Sequence, residues 1–177
     1  MVEMDWDYAT ASIPLPPQFS FAIASLGKSA STGEMVEKLN VWKEANTEDY
    51  FELMKEYNAA NYLAIGELKR LSKDFSEKNL GAFRKMFNHA QLLRKQLGLH
   101  CGAEVESEEY AVLREESVAN GAFIACLPGA GGGDSIAALC LSPEDKKRLE
   151  EFWASRGLKV LGLNISSEGV KLETFKP

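Results

Sequence analysis

Histidine is nearly absent from this sequence, two in 177 residues, and cysteine is scarce and odd in number at three. Thiols at Cys101, Cys126 and Cys140 are irregularly spaced and supply neither a zinc framework nor a set of disulfides. Cys126 and Cys140 lie in apolar, strand-like runs and read as buried reduced thiols, while Cys101 beside His100 makes only a thin case for a metal. No apolar run approaches the roughly 20 residues that span a bilayer. The opening segment MVEMDWDYAT has early acids and no apolar core, so it does not read as a secretory signal. Positive charge is also short: 20 Lys and Arg stand against 26 Asp and Glu, a net charge of −6. Such a chain is a poor match for nucleic-acid backbones or anionic membranes, although it leaves room for a local cationic pocket that takes a phosphorylated metabolite. The expectation is an intracellular, cytoplasmic protein, with an organelle left open, and without nucleic acid or membrane as partner.

What is present is ordinary globular material, 45% hydrophobic and 26% charged. Residues 1–18 read as a lead-in, because IPLPPQ at 13–18 carries three prolines that no sheet or helix interior accepts. Residues 19–177 read as one domain. It opens with a β-prone run at 19–24 (FSFAIA) and a small polar loop at 25–32 (SLGKSAST). Apolar residues at helical spacing follow. They predict helices over 33–46, from Thr47 as N-cap through Leu68, over 78–97 with Gly98 as the stop, and over 107–120. Two apolar strand-length runs, 122–127 and 135–141, then flank PGAGGGD. A helix at 143–156 is bracketed by Ser142 and Gly157, an alternating strand covers 158–165, and a last strand is expected at 170–175. The fold class is α+β: a small, mostly antiparallel sheet with helices on one face, related to the split βαβ or ferredoxin-like plan.

The strongest chemical signal is PGAGGGD at 128–134. A hairpin turn needs one or two glycines; Gly129, Ala130, Gly131, Gly132 and Gly133 leave the main chain bare enough to turn several N–H groups on one anion. It is neither a Walker A loop, lacking Gly-Lys-Ser/Thr, nor a dinucleotide fingerprint, since a strand follows it. Asp134 reads either as a general base or, in preference, as a group that ties down its own loop. GKSAST at 27–32 places Lys28, Ser29, Ser31 and Thr32 before a helix N-terminus. That setting suits an anion, although spacing alone is met by an ordinary N-cap cluster. His89 reads as a surface or satisfied histidine and not a catalyst, Arg94 and Lys95 as a solvated helix face, and Glu104, Glu106, Glu108 and Glu109 as solvated or capping groups.

Residues 122–141 (AFIACLPGAGGGDSIAALCL) resemble the third motif of the GHMP kinases. The strand-loop-helix at 21–43, the helix at 88–99 (NHAQLLRKQLGL), the acidic segment at 103–110 and the closing 152–165 are similar to phosphomevalonate kinases within that superfamily. Pro128 and Ser135 stand where the family typically has serine and cysteine. The likeness extends over residues 13–172 and implies the carboxyl-terminal half of such an enzyme. It implies a GHMP C-terminal fold, with Gly129, Ala130, Gly131, Gly132, Gly133 and Asp134 near nucleotide and substrate phosphates, and Lys28, Ser29, Ser31 and Thr32 near phosphomevalonate. ATP and Mg2+ are the implied cofactors, and an amino-terminal half is the implied partner. The early lysine, the Gly-Leu-Gly-Ser-Ser-like loop and the catalytic aspartate of that half have no counterpart here. The chain alone is therefore expected to be inactive, and no catalytic residue or protein-held metal is assigned to it. The alternatives are a non-catalytic interaction module on the same scaffold, or another GHMP small-molecule kinase.

Overall fold

A computed structural model describes residues 13–28, 31–163 and 165. The chain runs β1 (Ser20–Ser25), α1 (Thr32–Ala45), α2 (Thr47–Leu71), α3 (Glu77–Cys101), α4 (Glu108–Ala119), β2 (Ile124–Cys126), β3 (Ser135–Cys140), α5 (Pro143–Ser155) and β4 (Lys159–Leu161). The four strands form one sheet in the order β2-β3-β1-β4, and each neighbouring pair is antiparallel. This is the split plan: β3 lies between β1 and β2, and β4 closes the other edge.

Period two along the strands divides the core. Ala22, Ala24, Ala125, Ile136, Ala138 and Cys140 face α4 and α5 and pack with Leu149 and Trp153. Trp153 is fully buried, and its indole N–H donates to Ser117 Oγ at 2.8 Å. That hydroxyl in turn donates to Leu113 O at 2.7 Å, so both buried polar groups are satisfied. Side chains of opposite parity, Ile124 and Leu139, join Phe19, Leu71, Phe83 and Phe123 in a second cluster below the α2–α3 hairpin. Leu15 of the lead-in packs on this cluster, and Pro14 O accepts a hydrogen bond from Ser72 Oγ.

Burial lifts the Cys140 thiol pKa to about 11, and the same desolvation raises Cys126 against the pull of Arg94 and Arg114. Both stay protonated at neutral pH, as buried thiols should.

Several local expectations need correction. Gly98 does not stop α3; it is buried inside the helix, which ends one turn later at Gly102 with φ +69°. A Cβ at 98 would lie 2.7 Å from both Ala103 O and Val105 Cγ2, so its bareness serves close packing instead of a turn. Thr47 is the first helical residue, not the N-cap; its hydroxyl donates to Lys43 O, and Asn46 occupies the cap position. The edge strands pair over three residues each, fewer than the apolar runs suggest, and such short edges offer little template for pairing with another chain. The strand expected at 170–175 lies outside the described residues.

Candidate functional site

Antiparallel pairing decides where the two candidate loops sit. Ser25, the last residue of β1, is registered against Ser135, the first residue of β3. The chain leaving β1 and the chain entering β3 therefore meet at one end of the sheet. Leu26 N–H donates to Asp134 O at 3.1 Å and joins the loops directly. Of the hydroxyl loop, Lys28, Ser31 and Thr32 can be placed, while Ser29 lies outside the described residues.

The glycine loop is shaped by close approaches. Gly131, Gly132 and Gly133 all have positive φ, at +89°, +78° and +107°. A Cβ at Gly131 would stand 2.3 Å from Val105 O, and one at Gly133 would stand 2.6 Å from the Tyr110 ring and hydroxyl. Both positions thus require glycine for space as well as for dihedral angle. Gly132 N–H donates to Val105 O at 2.9 Å, and Gly131 N–H makes a long bond of 3.3 Å to Pro128 O. Gly132 is therefore an anchoring amide instead of a free donor. The N–H groups of Gly129, Ala130 and Gly133 have no acceptor among the described residues and lie outside the sheet ladder.

Three groups that hold this loop escaped the sequence reading. Arg94, expected on a solvated face, reaches from α3 to donate to Leu127 O at 2.8 Å and to Gly129 O at 3.3 Å. Glu106, expected in solvent, is largely buried and accepts from Arg114 Nε at 3.0 Å, with Lys95 at 3.9 Å. It thereby fixes the short segment whose Val105 carbonyl receives Gly132. Tyr110, on the first turn of α4, floors the loop beneath Gly133. A long-range ion pair cannot be read from one helix alone, and periodicity assigns Arg94 to a face without naming the loop that covers it. His89 is exposed on α3, as expected.

On the other side of the mouth, Ser31 caps α1, its Oγ accepting from Glu34 N–H at 3.3 Å, so the capping role is real. Lys28 lies 5.2 Å over the Tyr110 ring centroid and 3.7 Å from Glu109 Oε2. The neighbouring Tyr110 hydroxyl first, and the Glu109 carboxylate after it, raise the Lys28 pKa, although no full hydrogen bond to that hydroxyl forms. The lysine is cationic throughout the neutral range. Between α1, α3 and the loop lies an apolar cavity of about 180 Å³, walled by Met35, Val36, Leu97, Val105, Gly129 and Ala130. A larger cleft of about 740 Å³ between α1 and the end of α3, where Trp42 stacks on His100, lies away from the glycine loop and lacks its donors.

The arrangement offers amide donors, an ammonium and a helix N-terminus around one mouth, beside an apolar recess. That set suits the oxygens of a phosphate on a small aliphatic carrier. Among the described residues no three His, Cys, Asp or Glu side chains gather to hold a metal ion. Nor, among the described residues, is any helix long and apolar enough to cross a membrane.

A family model described as GHMP kinases C terminal matches residues 64–159. A phosphomevalonate kinase of Saccharolobus solfataricus is 31% identical over 156 residues, covering 88% of this chain and 45% of the relative. A peroxisomal phosphomevalonate kinase of Arabidopsis thaliana is 24% identical over 207 residues, covering 97% and 41%. A Streptococcus pneumoniae phosphomevalonate kinase, solved in complex with phosphomevalonate and AMPPNP, matches with a TM-score of 0.66 at 20% identity, covering 90% of this chain and 43% of that one. A Lin0012 protein from Listeria innocua matches with a TM-score of 0.71, covering 85% and 40%. The chain spans less than half the length of these relatives.

Proposed function

This chain belongs to the GHMP kinases as a C-terminal domain, and from that premise we propose that it is the substrate-holding half of a phosphomevalonate kinase, an enzyme passing the γ-phosphoryl of ATP to phosphomevalonate. The observation that carries this reading is the junction at Leu26 and Asp134, which brings the bare loop and the hydroxyl loop to one mouth. The amides of Gly129, Ala130 and Gly133 receive phosphate oxygens, Gly131 adds a weakly held fourth, and Gly132 holds the loop in place. Asp134 steadies the foot of the loop. Lys28 contributes positive charge, and Ser29, Ser31 and Thr32 contribute hydroxyls or the α1 N-terminus. The apolar cavity accepts the carbon skeleton.

This half orients and stabilises charge, the two effects that dominate phosphoryl transfer. The nucleotide, any magnesium bridging its phosphates and the proton-accepting group belong with an amino-terminal half. The chain alone is accordingly inactive.

Calorimetric titration of the 177-residue chain tests the reading. Phosphomevalonate should bind at least about tenfold more tightly than mevalonate, the margin expected when one partner lacks a charged group that the site is built to receive. Equal affinity for the two would remove the phosphate cradle. ATP turnover by the chain alone would remove the assignment to a half-enzyme.

A further inference from the structure

We propose that the Tyr110 hydroxyl is a binding group of the cradle, a side-chain donor that works with the Lys28 ammonium to take an oxygen of a phosphate monoester seated on the glycine loop. The proposal rests on the cradle reading above and adds to it a residue that neither the loop motif nor the hydroxyl loop contains.

Tyr110 is 6% exposed, and its hydroxyl is buried without a hydrogen-bond partner among the described residues. Elsewhere the core satisfies such groups, as the Trp153–Ser117–Leu113 relay demonstrates. Phenylalanine would fill the same space without burying an unpaired oxygen, so packing alone does not account for tyrosine.

The placement of the hydroxyl points to its use. It lies against Gly133, where an added Cβ would come within 2.6 Å of it, so only main chain touches it on that side. Lys28 Nζ stands over the same ring. The facing groups are therefore the Gly133 main chain, the Lys28 ammonium and the Glu109 carboxylate, the last paired with Lys28 at 3.7 Å in an exposed contact. Exposed pairs of this kind are weak and readily exchanged. An entering phosphate replaces Glu109 as the partner of Lys28 and, as the exposed Lys28 side chain moves with it off the Tyr110 ring, accepts a hydrogen bond from the phenolic O–H beside Gly133. No bond is made or broken in this step.

Tyr110→Phe in the full chain separates the possibilities. The variant should melt at or above the wild-type temperature while its affinity for phosphomevalonate falls about tenfold, the usual effect of losing one hydrogen bond to a charged group. Adding phosphomevalonate to wild type should also perturb the near-ultraviolet tyrosine signal, and Tyr110→Phe should abolish that perturbation. Lys28→Met should weaken binding further and flatten its salt dependence. If Tyr110→Phe instead weakens ATP and spares phosphomevalonate, the monoester assignment is overturned and the hydroxyl serves the nucleotide. If the variant binds both as tightly as wild type, the Tyr110 assignment is overturned while the cradle stands. If wild type binds neither, cradle and tyrosine fall together.

Discussion

The two loops at the mouth reach the same place by different means. Residues 128–134 are braced at several points: Arg94 grips the Gly129 carbonyl and that of the preceding Leu127, Val105 O holds one amide, and Val105 and Tyr110 leave no volume for a Cβ at 131 or 133. In the hydroxyl loop, the described residues 26–28 and 31–32 are held by isolated bonds. Leu26 N–H is bonded to Asp134 O, Gly27 N–H reaches Ser25 Oγ at 3.3 Å, and Lys28 is exposed. Main chain cannot adjust to a ligand as a rotamer can, so its donors must be set in advance by packing. Side-chain hydroxyls and ammonium groups can be delivered by a lightly tethered segment. On the proposed function, the difference separates an anion seat built of main chain from a clasp built of side chains.

Gly131→Val should break the seat most severely. The added side chain meets Val105 O, and the β-branched residue is strained at φ +89°. Phosphomevalonate binding should fall below detection, while the far-ultraviolet circular dichroism stays native because the sheet and helices do not depend on position 131. Near-native affinity would show that the loop is not the seat.

Arg94→Met keeps the aliphatic stem and removes both carbonyl ties. Each charged hydrogen bond contributes about 1.5–3 kcal/mol, less where partly exposed, so a stability loss of about 2 kcal/mol is expected in denaturant melts. Amide exchange should rise selectively at 127–133, and a uniform rise across the chain would mean that Arg94 supports the whole fold instead of the loop.

The clasp should respond least. Ser31→Ala removes the N-cap of α1 at about 1 kcal/mol, and affinity should change only a few-fold. A loss as large as that of Gly131→Val would reverse the ranking and make Ser31 a principal ligand.

Helices α1 to α5 were legible because apolar spacing and caps such as Ser107 and Ser142 are local signals. The glycine loop was legible for a similar reason, since that many bare positions exceed the needs of a turn. Gly98 misled because a glycine near a helix end normally signals a stop, whereas here Val105 folds back onto it. Arg94, Glu106 and Tyr110 could not be found that way. Their partners lie 35, 8 and 23 residues away in the chain, and only folding brings them together.

Composition and periodicity by themselves determined a folded α+β chain with a bare glycine loop between two strands and a polar loop before a helix. They were sufficient because dihedral preference and hydrophobic spacing act within a few residues. Tertiary structure decided that these loops share one mouth, that Gly132 anchors while the amides of Gly129, Ala130 and Gly133 stay open among the described residues, and that a tyrosine lies beneath Gly133. Strand register and the reach of side chains between helices are set by the packing of the whole core, and no local window of sequence contains that information.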